Sequence, residues 1–432
     1  MTINLIKPPD PSSIDDFLDE PLGLLYLATI LKENGIDVKV TDLSNTGYKG
    51  YKDVIDLNSD IFGLSLYTPT AWIGLEIAKY IREHKKNALI ICGGPHPSAV
   101  PWDENLHNIF DYIFMGEAEV SLLEFVQNYI NSSLNSKKII ISSQVKDLDV
   151  LPIPQRDFVS DVLVYHRKLN DKRCLGIIGS RGCPFNCAFC DKAITGNRIR
   201  YRSISNIVDE IKQLIDKYGV HEFEFFDDMF TIKKSRLQEF YDKTKNWGVS
   251  YRCNGRSDNL DPKIYELLKL SGCSHIAFGL ETGSQMLLDK MNKKNTVENN
   301  YRAIKLARDN NLITMGYFIL GFPGETYDTI AETMDFIEKS NVDQIQFYTF
   351  IPLPGCDVYN NPNKYGARII SSNFSEYFQV TGTDGLGGMV CETDLLSAEQ
   401  IREEMIKIRK YIKERTGRGS VQDYYKVINE KI

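Results

Sequence analysis

The sequence predicts an α/β protein built from two successive folded units, and three observations support this. Short apolar runs alternate with amphipathic stretches through most of the chain, as in strands covered by helices. The proline-spaced stretch LPIPQRDF (151–158) interrupts this alternation, since it continues neither a helix nor an inner strand. A second, longer series then begins. We expect a doubly wound (Rossmann-like) domain at 1–145, a linker at 146–170, a partial TIM-type (β/α)6 barrel at 171–370 and a mainly helical extension at 371–432.

The first series is predicted to form a parallel sheet covered on both faces. Helical stretches such as LGLLYLATILKENG, which ends at a glycine, separate its strands. The strands are INLIK (3–7), DVKVTD (37–42), IFGLSLYT (61–68), ALIICGG (88–94) and DYIFMG (111–116). Turns rich in Gly, Pro, Ser and Thr follow them, at the sheet edge where open α/β sheets bind ligands. Such residues are also common in ordinary turns, so the turns alone leave both interpretations open.

The second series is predicted to form the partial barrel, with its chemistry at the carboxyl ends of the strands. Its strands are CLGIIGS (174–180), EFEFFDD (222–228), SYRCNGR (250–256), HIAFGLE (275–281), MGYFILG (315–321) and QIQFYTF (344–350). Beyond it, TDLLSAEQIREEMIKIRKYIKERTG (393–417) has the acidic start and basic end of one amphipathic helix.

Composition excludes several classes of protein. The net charge of −7 provides no general basic field for nucleic acid. No apolar stretch approaches the length of a membrane span, and MTINLIKPPDP lacks the pattern of a secretory signal, so we expect a cytoplasmic protein. Nine cysteines in 432 residues are too few for a disulfide scaffold.

Three of those cysteines are concentrated in SRGCPFNCAFCDK (180–192), which indicates a metal centre. Cys183, Cys187 and Cys190 can hold three irons of a four-iron cluster and leave the fourth iron open to another ligand. A zinc site would need a fourth ligand, and His166 and His221 are distant in sequence. The other six cysteines are interpreted as small buried hydrophobic residues.

CPFNCAFC resembles the signature of the radical S-adenosylmethionine (SAM) superfamily. The resemblance implies a [4Fe–4S] cluster on these three cysteines, with the amino and carboxylate groups of SAM on the open iron. It places Phe189 against the adenine of SAM, although the ring could equally cap the apolar underside of the loop.

The later strand ends extend this resemblance. Asp227 and Asp228 in FEFFDDMFTI match the segment that binds the SAM amino group, although paired carboxylates also suit a divalent cation or a helix cap. Arg256 in CNGRSD is a candidate for the SAM carboxylate, with a surface salt bridge as the alternative.

Two further segments complete the SAM resemblance. Glu281 and Ser284 in FGLETGSQ match the part that contacts the ribose and methionyl groups. Ile319 and Gly321 in YFILGFPGET match the adenine segment, where Glu325 could instead be a first-turn helix acid.

The turns of the first domain, taken with the barrel, resemble the cobalamin-binding radical SAM subfamily. The cobalamin positions carried over are Ser65, Thr68, Thr70, Gly93, Gly94, Ser98, Gly116 and Glu117. The D-x-H-x-x-G motif that supplies a histidine to cobalt elsewhere is absent, and His96 is interpreted as a turn residue. The domain could also have kept the fold and lost the cofactor.

The resemblance implies an enzyme that cleaves SAM to a 5′-deoxyadenosyl radical and, with cobalamin, transfers a methyl group to an unactivated centre of a small molecule. Cobalamin-assisted cyclisation or rearrangement, a radical SAM enzyme without cobalamin, and a non-catalytic iron–sulfur protein are the alternatives. A low-potential electron donor of flavodoxin or ferredoxin type is expected, and no nucleic-acid partner. The segment 371–390 is expected to contribute substrate contacts, and no catalytic side chain is assigned.

Overall fold

The computed structural model describes residues 1–10, 13, 15–44, 46–47, 50–133, 137–378 and 386–416. The chain divides into two compact units. The first unit comprises Met1–Arg167, Arg181–Cys183 and Asp191–Asn206, and the second comprises Lys168–Ser180, Pro184–Cys190 and Ile207–Ile432. Two short pieces of the first unit, Arg181–Cys183 and Asp191–Asn206, therefore flank in sequence the segment Pro184–Cys190, which belongs to the second unit.

The first unit contains a six-stranded parallel sheet with the order β2-β1-β3-β4-β5-β6. Neighbouring residues of one strand pack on opposite faces of the sheet, so that Ile90 and Ile91 belong to separate hydrophobic clusters. Both faces are therefore buried. The strands are β1 Thr2–Lys7, β2 Asp37–Asp42, β3 Ile61–Ser65, β4 Leu89–Gly93, β5 Tyr112–Met115 and β6 Ile139–Ile141.

Helices cover the two faces of this sheet, as the alternating pattern predicts. Helix α1 is followed by Gly35 at φ 75°, a left-handed conformation that favours glycine. The helices are α1 Leu22–Glu33, α2 Tyr51–Val54, α3 Ala71–His84, α4 Pro95–Ala99, α5 Glu104–Ile109 and α6 Glu119–Ile130. The sequence did not predict β6, which is only three residues long.

The main sheet of the second unit has seven strands in the order β15-β14-β13-β12-β11-β8-β7. The six predicted strands are parallel, and the additional β7 pairs with β8 in the antiparallel direction. From residue 168 onward the strands are β7 Lys168–Leu169, β8 Lys172–Ile177, β9 Ser180–Arg181, β10 Arg200–Tyr201, β11 Glu222–Phe225, β12 Ser250–Gly255, β13 Cys273–Glu281, β14 Ile313–Leu320, β15 Gln344–Thr349, β16 Ala367–Ile369 and β17 Cys391–Thr393.

Side chains of β12 and β15 alternate between buried and half-buried positions, because one face of each strand packs into the core. The remaining helices are α7 Ile204–Tyr218, α8 Lys234–Thr244, α9 Pro262–Leu270, α10 Gln285–Lys290, α11 Val297–Asp309, α12 Tyr327–Ser340, α13 Asp357–Asn360, α14 Pro362–Tyr365 and α15 Ala398–Thr416. The predicted fold class is confirmed, and α15 is the helix expected near the carboxyl terminus.

Parallel strands bring their carboxyl ends to one edge of a sheet. The structure therefore gathers the predicted site residues of each unit at such an edge. Within the described part of the chain, no helix has the length and apolar character needed to cross a bilayer.

Candidate active site

The cysteine loop, residues 182–190, begins at a tight turn. Gly182 has φ 90°, and a Cβ added there would lie 2.3 Å from the carbonyl oxygen of Arg198. The amide of Cys183 donates to the carbonyl of Gly196 at 3.4 Å. The backbone before the first cysteine is thus closely packed, and only glycine fits at this position.

The three thiols lie near the surface of the molecule. Cys183 and Cys187 are half-buried and Cys190 is exposed, whereas the other six cysteines are buried. Over the ranges that the structure describes, no three His, Cys, Asp or Glu side chains converge on a point suited to a single metal ion. In a four-iron cluster each thiolate binds a different iron, so its ligands need not converge on one point.

The underside of the loop packs against the second unit's core. The amide of Ala188 donates to the carbonyl of Met291 at 2.8 Å, and the carbonyl of Ala188 accepts from the amide of Val358 at 3.1 Å. Phe189 packs against the hydrophobic cluster that contains Phe322. The ring therefore caps the apolar underside of the loop, and its contact with adenine stays a prediction.

The two adjacent aspartates differ sharply in environment. Asp227 is buried, and its carboxylate accepts hydrogen bonds from the amide of Gly179 at 2.6 Å and the hydroxyl of Ser180 at 2.5 Å. Burial raises the pKa of Asp227 to about 6. Asp228 is exposed. Asp227 therefore secures the backbone that follows β8, and the contact of either aspartate with the SAM amino group stays a prediction.

Arg256 is held by several groups of the second unit. Its guanidinium carbon lies 3.6 Å from the ring centroid of Phe185, and its Nη2 donates to Asp258 at 2.8 Å and to the carbonyl of Lys293 at 2.7 Å. Arg256 thus links β12 to the cysteine loop. A contact with the SAM carboxylate would be an additional role and stays a prediction.

Glu281 forms a buried ion pair that the sequence did not predict. Its Oε1 accepts a hydrogen bond from Nζ of Lys293, and both side chains are less than one-tenth exposed. Glu281 has φ 65° and lies at an irregularity in the pairing of β13 with β14. A Cβ at Gly279 would lie 2.4 Å from Oε1 of Glu281, so glycine leaves the space that this carboxylate occupies.

Lys293 contacts two of the predicted site residues, although the sequence did not predict a role for it. Its Nζ lies 5.7 Å from the ring centroid of Phe189, in addition to its pairing with Glu281. The only signal in the sequence is a pair of lysines in MNKKNT, which resembles an ordinary solvated turn. The structure instead buries Lys293 and exposes Lys294.

The adenine segment and Ser284 occupy neighbouring strand ends. Gly321 has φ 83°, and a Cβ there would lie 2.9 Å from Cγ2 of Ile401. Ile319 is half-buried against the same hydrophobic cluster as Phe189. Ser284 is buried and precedes α10.

In the first unit, four of the eight predicted cobalamin residues form an accessible rim. Ser65, Gly93, Gly94 and Gly116 are half-buried at the carboxyl ends of the neighbouring strands β3, β4 and β5. Gly94 has φ 102°, and a Cβ there would lie 2.9 Å from the carbonyl oxygen of Leu66. Small residues thus stand at three adjacent strand ends, at the edge where open α/β sheets bind ligands, which fits the cobalamin prediction.

The other four residues are buried and make internal hydrogen bonds. Ser98 donates to the carbonyl of Gly94 at 2.7 Å and accepts from the amide of Gly116 at 2.9 Å. Thr70 bonds with the backbone of Tyr67, and Glu117 forms an ion pair with Arg200. These side chains support the rim from within. Thr68 lies 3.3 Å from Nδ1 of buried His96.

Two family models match the chain in consecutive regions. The B12 binding domain matches residues 18–126, and the Radical SAM superfamily matches residues 177–337. The chain belongs to the cobalamin-binding radical SAM enzymes. The predicted family and fold are thereby confirmed.

Relatives of this radical SAM enzyme include both methyltransferases and cyclases. An uncharacterized methyltransferase of Pyrococcus horikoshii is 29% identical over 82% of this chain and 82% of its own length. An anaerobic magnesium-protoporphyrin IX monomethyl ester cyclase of Rubrivivax gelatinosus is 26% identical over 84% of this chain and 69% of its own length. The radical SAM methyltransferase TsrM of Kitasatospora setae, solved with cobalamin and a [4Fe–4S] cluster, shares the fold with a TM-score of 0.68 and 17% identity, covering 91% of this chain and 84% of that chain.

The radical SAM unit also contains a buried acid with an unusual titration. Burial raises the pKa of Glu325 to about 8, although its carboxylate accepts a hydrogen bond from the amide of Gly321. The folded protein therefore binds a proton at pH values where the unfolded chain has released it. The free energy of unfolding is thus expected to fall as pH rises from the ordinary pKa of 4.5 to about 8.

Glu325→Gln is expected to remove this pH dependence. The variant and the parent are expected to have similar stability near pH 5, and the variant to gain up to about 5 kcal/mol near pH 9. Urea unfolding of the cluster-free proteins at the two pH values measures the difference. Glu298→Gln, at an exposed carboxylate on α11, is the control. An equal difference between Glu325→Gln and the parent at both pH values would contradict the assignment.

Proposed function

We propose that this enzyme is a cobalamin-dependent methyltransferase that acts on an unactivated carbon or phosphorus centre of a small molecule. The observation that carries the proposal is the order of the two domains: a B12 binding domain precedes a radical SAM domain in one chain. The methyltransferases of Pyrococcus horikoshii and Kitasatospora setae support the same reaction class. The domain boundaries inferred from the sequence, at 145, 170 and 370, remain part of this proposal.

The cluster is proposed to be held by Cys183, Cys187 and Cys190. When bound, the cluster would supply the electron that cleaves SAM, and cobalamin would supply the methyl group. Asp228 is the residue proposed to bind the SAM ammonium, because it is exposed at the strand end whereas Asp227 is buried.

Glu281 is proposed to accept hydrogen bonds from the ribose of SAM, with Lys293 holding its carboxylate in position. Ser284, Ile319, Gly321 and Phe189 are proposed to contact the rest of SAM. The apolar cluster around Phe189 would exclude water from the reacting part of the ligand, which protects a reactive radical from side reactions. Arg256 would orient the cysteine loop through Phe185.

The rim of the first unit is proposed to hold cobalamin through Ser65, Gly93, Gly94 and Gly116. Thr68, Thr70 and Ser98 are buried, and they would support cobalamin binding indirectly by holding the turns that carry these residues. Without a D-x-H-x-x-G motif, the chain has no histidine in the position that ligates cobalt in other cobalamin domains.

Cyclisation or rearrangement assisted by cobalamin is the second candidate, favoured by the similarity to the Rubrivivax gelatinosus cyclase. A substrate contact from residues 371–390 belongs to either candidate, and 379–385 of that segment lie outside the described residues. We propose a flavodoxin- or ferredoxin-type electron donor and a cytoplasmic location, because a low-potential cluster needs a reducing compartment.

The test is to measure cobalt and iron together. The protein is reconstituted anaerobically with iron, sulfide and hydroxocobalamin, desalted, and analysed for both metals and for its visible spectrum. About four irons and about one cobalt per chain are expected. Iron without cobalt would contradict the methyltransferase proposal and indicate a radical SAM enzyme that works without cobalamin. Failure of the reduced cluster to cleave SAM would favour a non-catalytic iron–sulfur protein.

A further inference from the structure

Four charged side chains form a largely buried cluster in the first unit. Glu117 and Glu119 follow the carboxyl end of β5, and Arg181 and Arg200 flank the cysteine loop. We call these four residues the anchor cluster. All four are at most 11% exposed, so each charge depends on its partners rather than on water.

Glu117 and Arg200 make the strongest contact of the anchor cluster. Nη1 of Arg200 donates to Oε2 of Glu117 at 2.7 Å, and Nη2 donates to Oε1 at 2.6 Å. Two parallel hydrogen bonds of this kind fix both distance and orientation. Arg200 also donates to the carbonyls of Val145 at 2.7 Å and Thr195 at 3.0 Å. Glu117 accepts from the amide of Val145 at 3.0 Å.

Arg181 makes the second link. Its Nη2 lies 2.6 Å from Oε1 of Glu119, and its Nη1 lies 3.6 Å from Oε2 of Glu117. The guanidinium carbon lies 5.4 Å from the ring centroid of Tyr26, within the range of a cation–π contact. Both arginines are therefore held by the same short turn, GEAE at 116–119.

The anchor cluster is connected to the first cysteine through backbone. Arg181 belongs to β9 and Arg200 to β10, and these two strands pair with each other. Cys183 follows two residues after Arg181, and its amide bonds to Gly196, which lies between the two strands in sequence. A displacement of either arginine would thus move the backbone that orients the Cys183 thiol.

We propose that Glu117 is a positioning residue for the cysteine loop and does not contact cobalamin. Its carboxylate fixes Arg200 and β10, and so the orientation of Cys183 before the cluster assembles. The inference rests on the proposed function in one respect, namely that Cys183 is a cluster ligand. Within the described part of the chain, every hydrogen bond and ion pair of the Glu117 carboxylate goes to an arginine of the anchor cluster or to Val145, which is why we do not propose it as a cobalamin contact.

The test compares Glu117→Gln with Arg200→Met, the double variant and a matched control. The control is Asp111→Asn, because Asp111 also joins an arginine and a backbone amide, Arg82 at 2.6 Å and Ile90 at 2.7 Å, but precedes β5. Each protein is reconstituted anaerobically with iron, sulfide and hydroxocobalamin. Iron, cobalt, the electron paramagnetic resonance spectrum of the reduced cluster and the melting temperature are then measured.

Both single variants are expected to lose more than about half of their iron and to keep the parental cobalt content, because breaking a buried pair leaves one charge unpaired. The double variant is expected to lose no more iron than either single variant, since the two residues act together. Asp111→Asn is expected to lower the melting temperature and retain its iron.

Several results would overturn the inference. One is full iron with a parental cluster spectrum in Glu117→Gln. Another is full iron with lost cobalt, which would make Glu117 a cobalamin contact, as the sequence predicts. Equal iron loss in Asp111→Asn would show that the iron loss in Glu117→Gln comes from a general loss of stability and not from a displaced cysteine loop. Absence of the cluster in the parent protein would instead count against the proposed function itself.

Discussion

Replacing Cys187 by alanine is expected to abolish the iron–sulfur cluster and all reductive cleavage of SAM. Three thiolates are the minimum that holds a four-iron cluster with one open iron, so removal of one leaves no stable site. The substitution removes one sulfur atom from a side chain that is only half-buried. The fold is therefore expected to survive it. Iron content, charge-transfer absorbance and 5′-deoxyadenosine production after reduction measure the effect.

Cys92→Ala is the control for this variant. Cys92 is buried in a hydrophobic cluster of the first unit, so its loss removes a thiol and some packing without touching the CPFNCAFC motif. We expect Cys92→Ala to keep the parental iron content. Full iron in Cys187→Ala would refute the cluster assignment, as would equal iron loss in both variants.

Lys293→Met is expected to weaken SAM binding by about tenfold or more while leaving the cluster intact. The substitution leaves the buried carboxylate of Glu281 without its cation, and a hydrogen bond to a charged group contributes about 1.5–3 kcal/mol. A Glu281 carboxylate that is no longer held in place by Lys293 would then be a poorer acceptor for the ribose hydroxyls. Equilibrium dialysis of SAM against the reconstituted protein gives the dissociation constant, and iron analysis shows whether the cluster is retained.

Lys294→Met is the matched control, because the neighbouring lysine is exposed. Its affinity for SAM is expected to equal that of the parent. The double variant Glu281→Gln with Lys293→Met distinguishes an effect on stability from an effect on SAM binding. Lys293→Met alone leaves a buried charge unpaired and is expected to lower the melting temperature. Removal of both charges is expected to restore the melting temperature but not the affinity for SAM. Parental SAM affinity in Lys293→Met would show that the ion pair does not serve the SAM site.

Residues close in sequence can have different roles that only the fold distinguishes. Asp227 and Asp228 are adjacent and chemically identical, yet one is buried against Gly179 and the other is exposed. Lys293 and Lys294 differ in the same way. A side chain's environment depends on which strands and helices approach it, and those approaches come from distant parts of the chain.

The environment of Glu117 also depends on the fold, through a partner that is distant in sequence. Its position in a glycine-containing turn after a strand predicts a ligand contact. Only the fold shows that Arg200, 83 residues later, binds its carboxylate. The short strands β9 and β10 were not predicted, because two residues are too few to show a periodic pattern.

By itself the sequence determined the alternation of strands and helices, because apolar periodicity reflects which faces each element must bury. It also determined the cysteine spacing and the order of the two domains. The tertiary structure decided how charged side chains pair: Glu281 with Lys293, Glu117 with Arg200, and Asp227 with the end of β8. Burial makes an unpaired charge costly, so each partner is selected by proximity in the folded chain and not by position in the sequence.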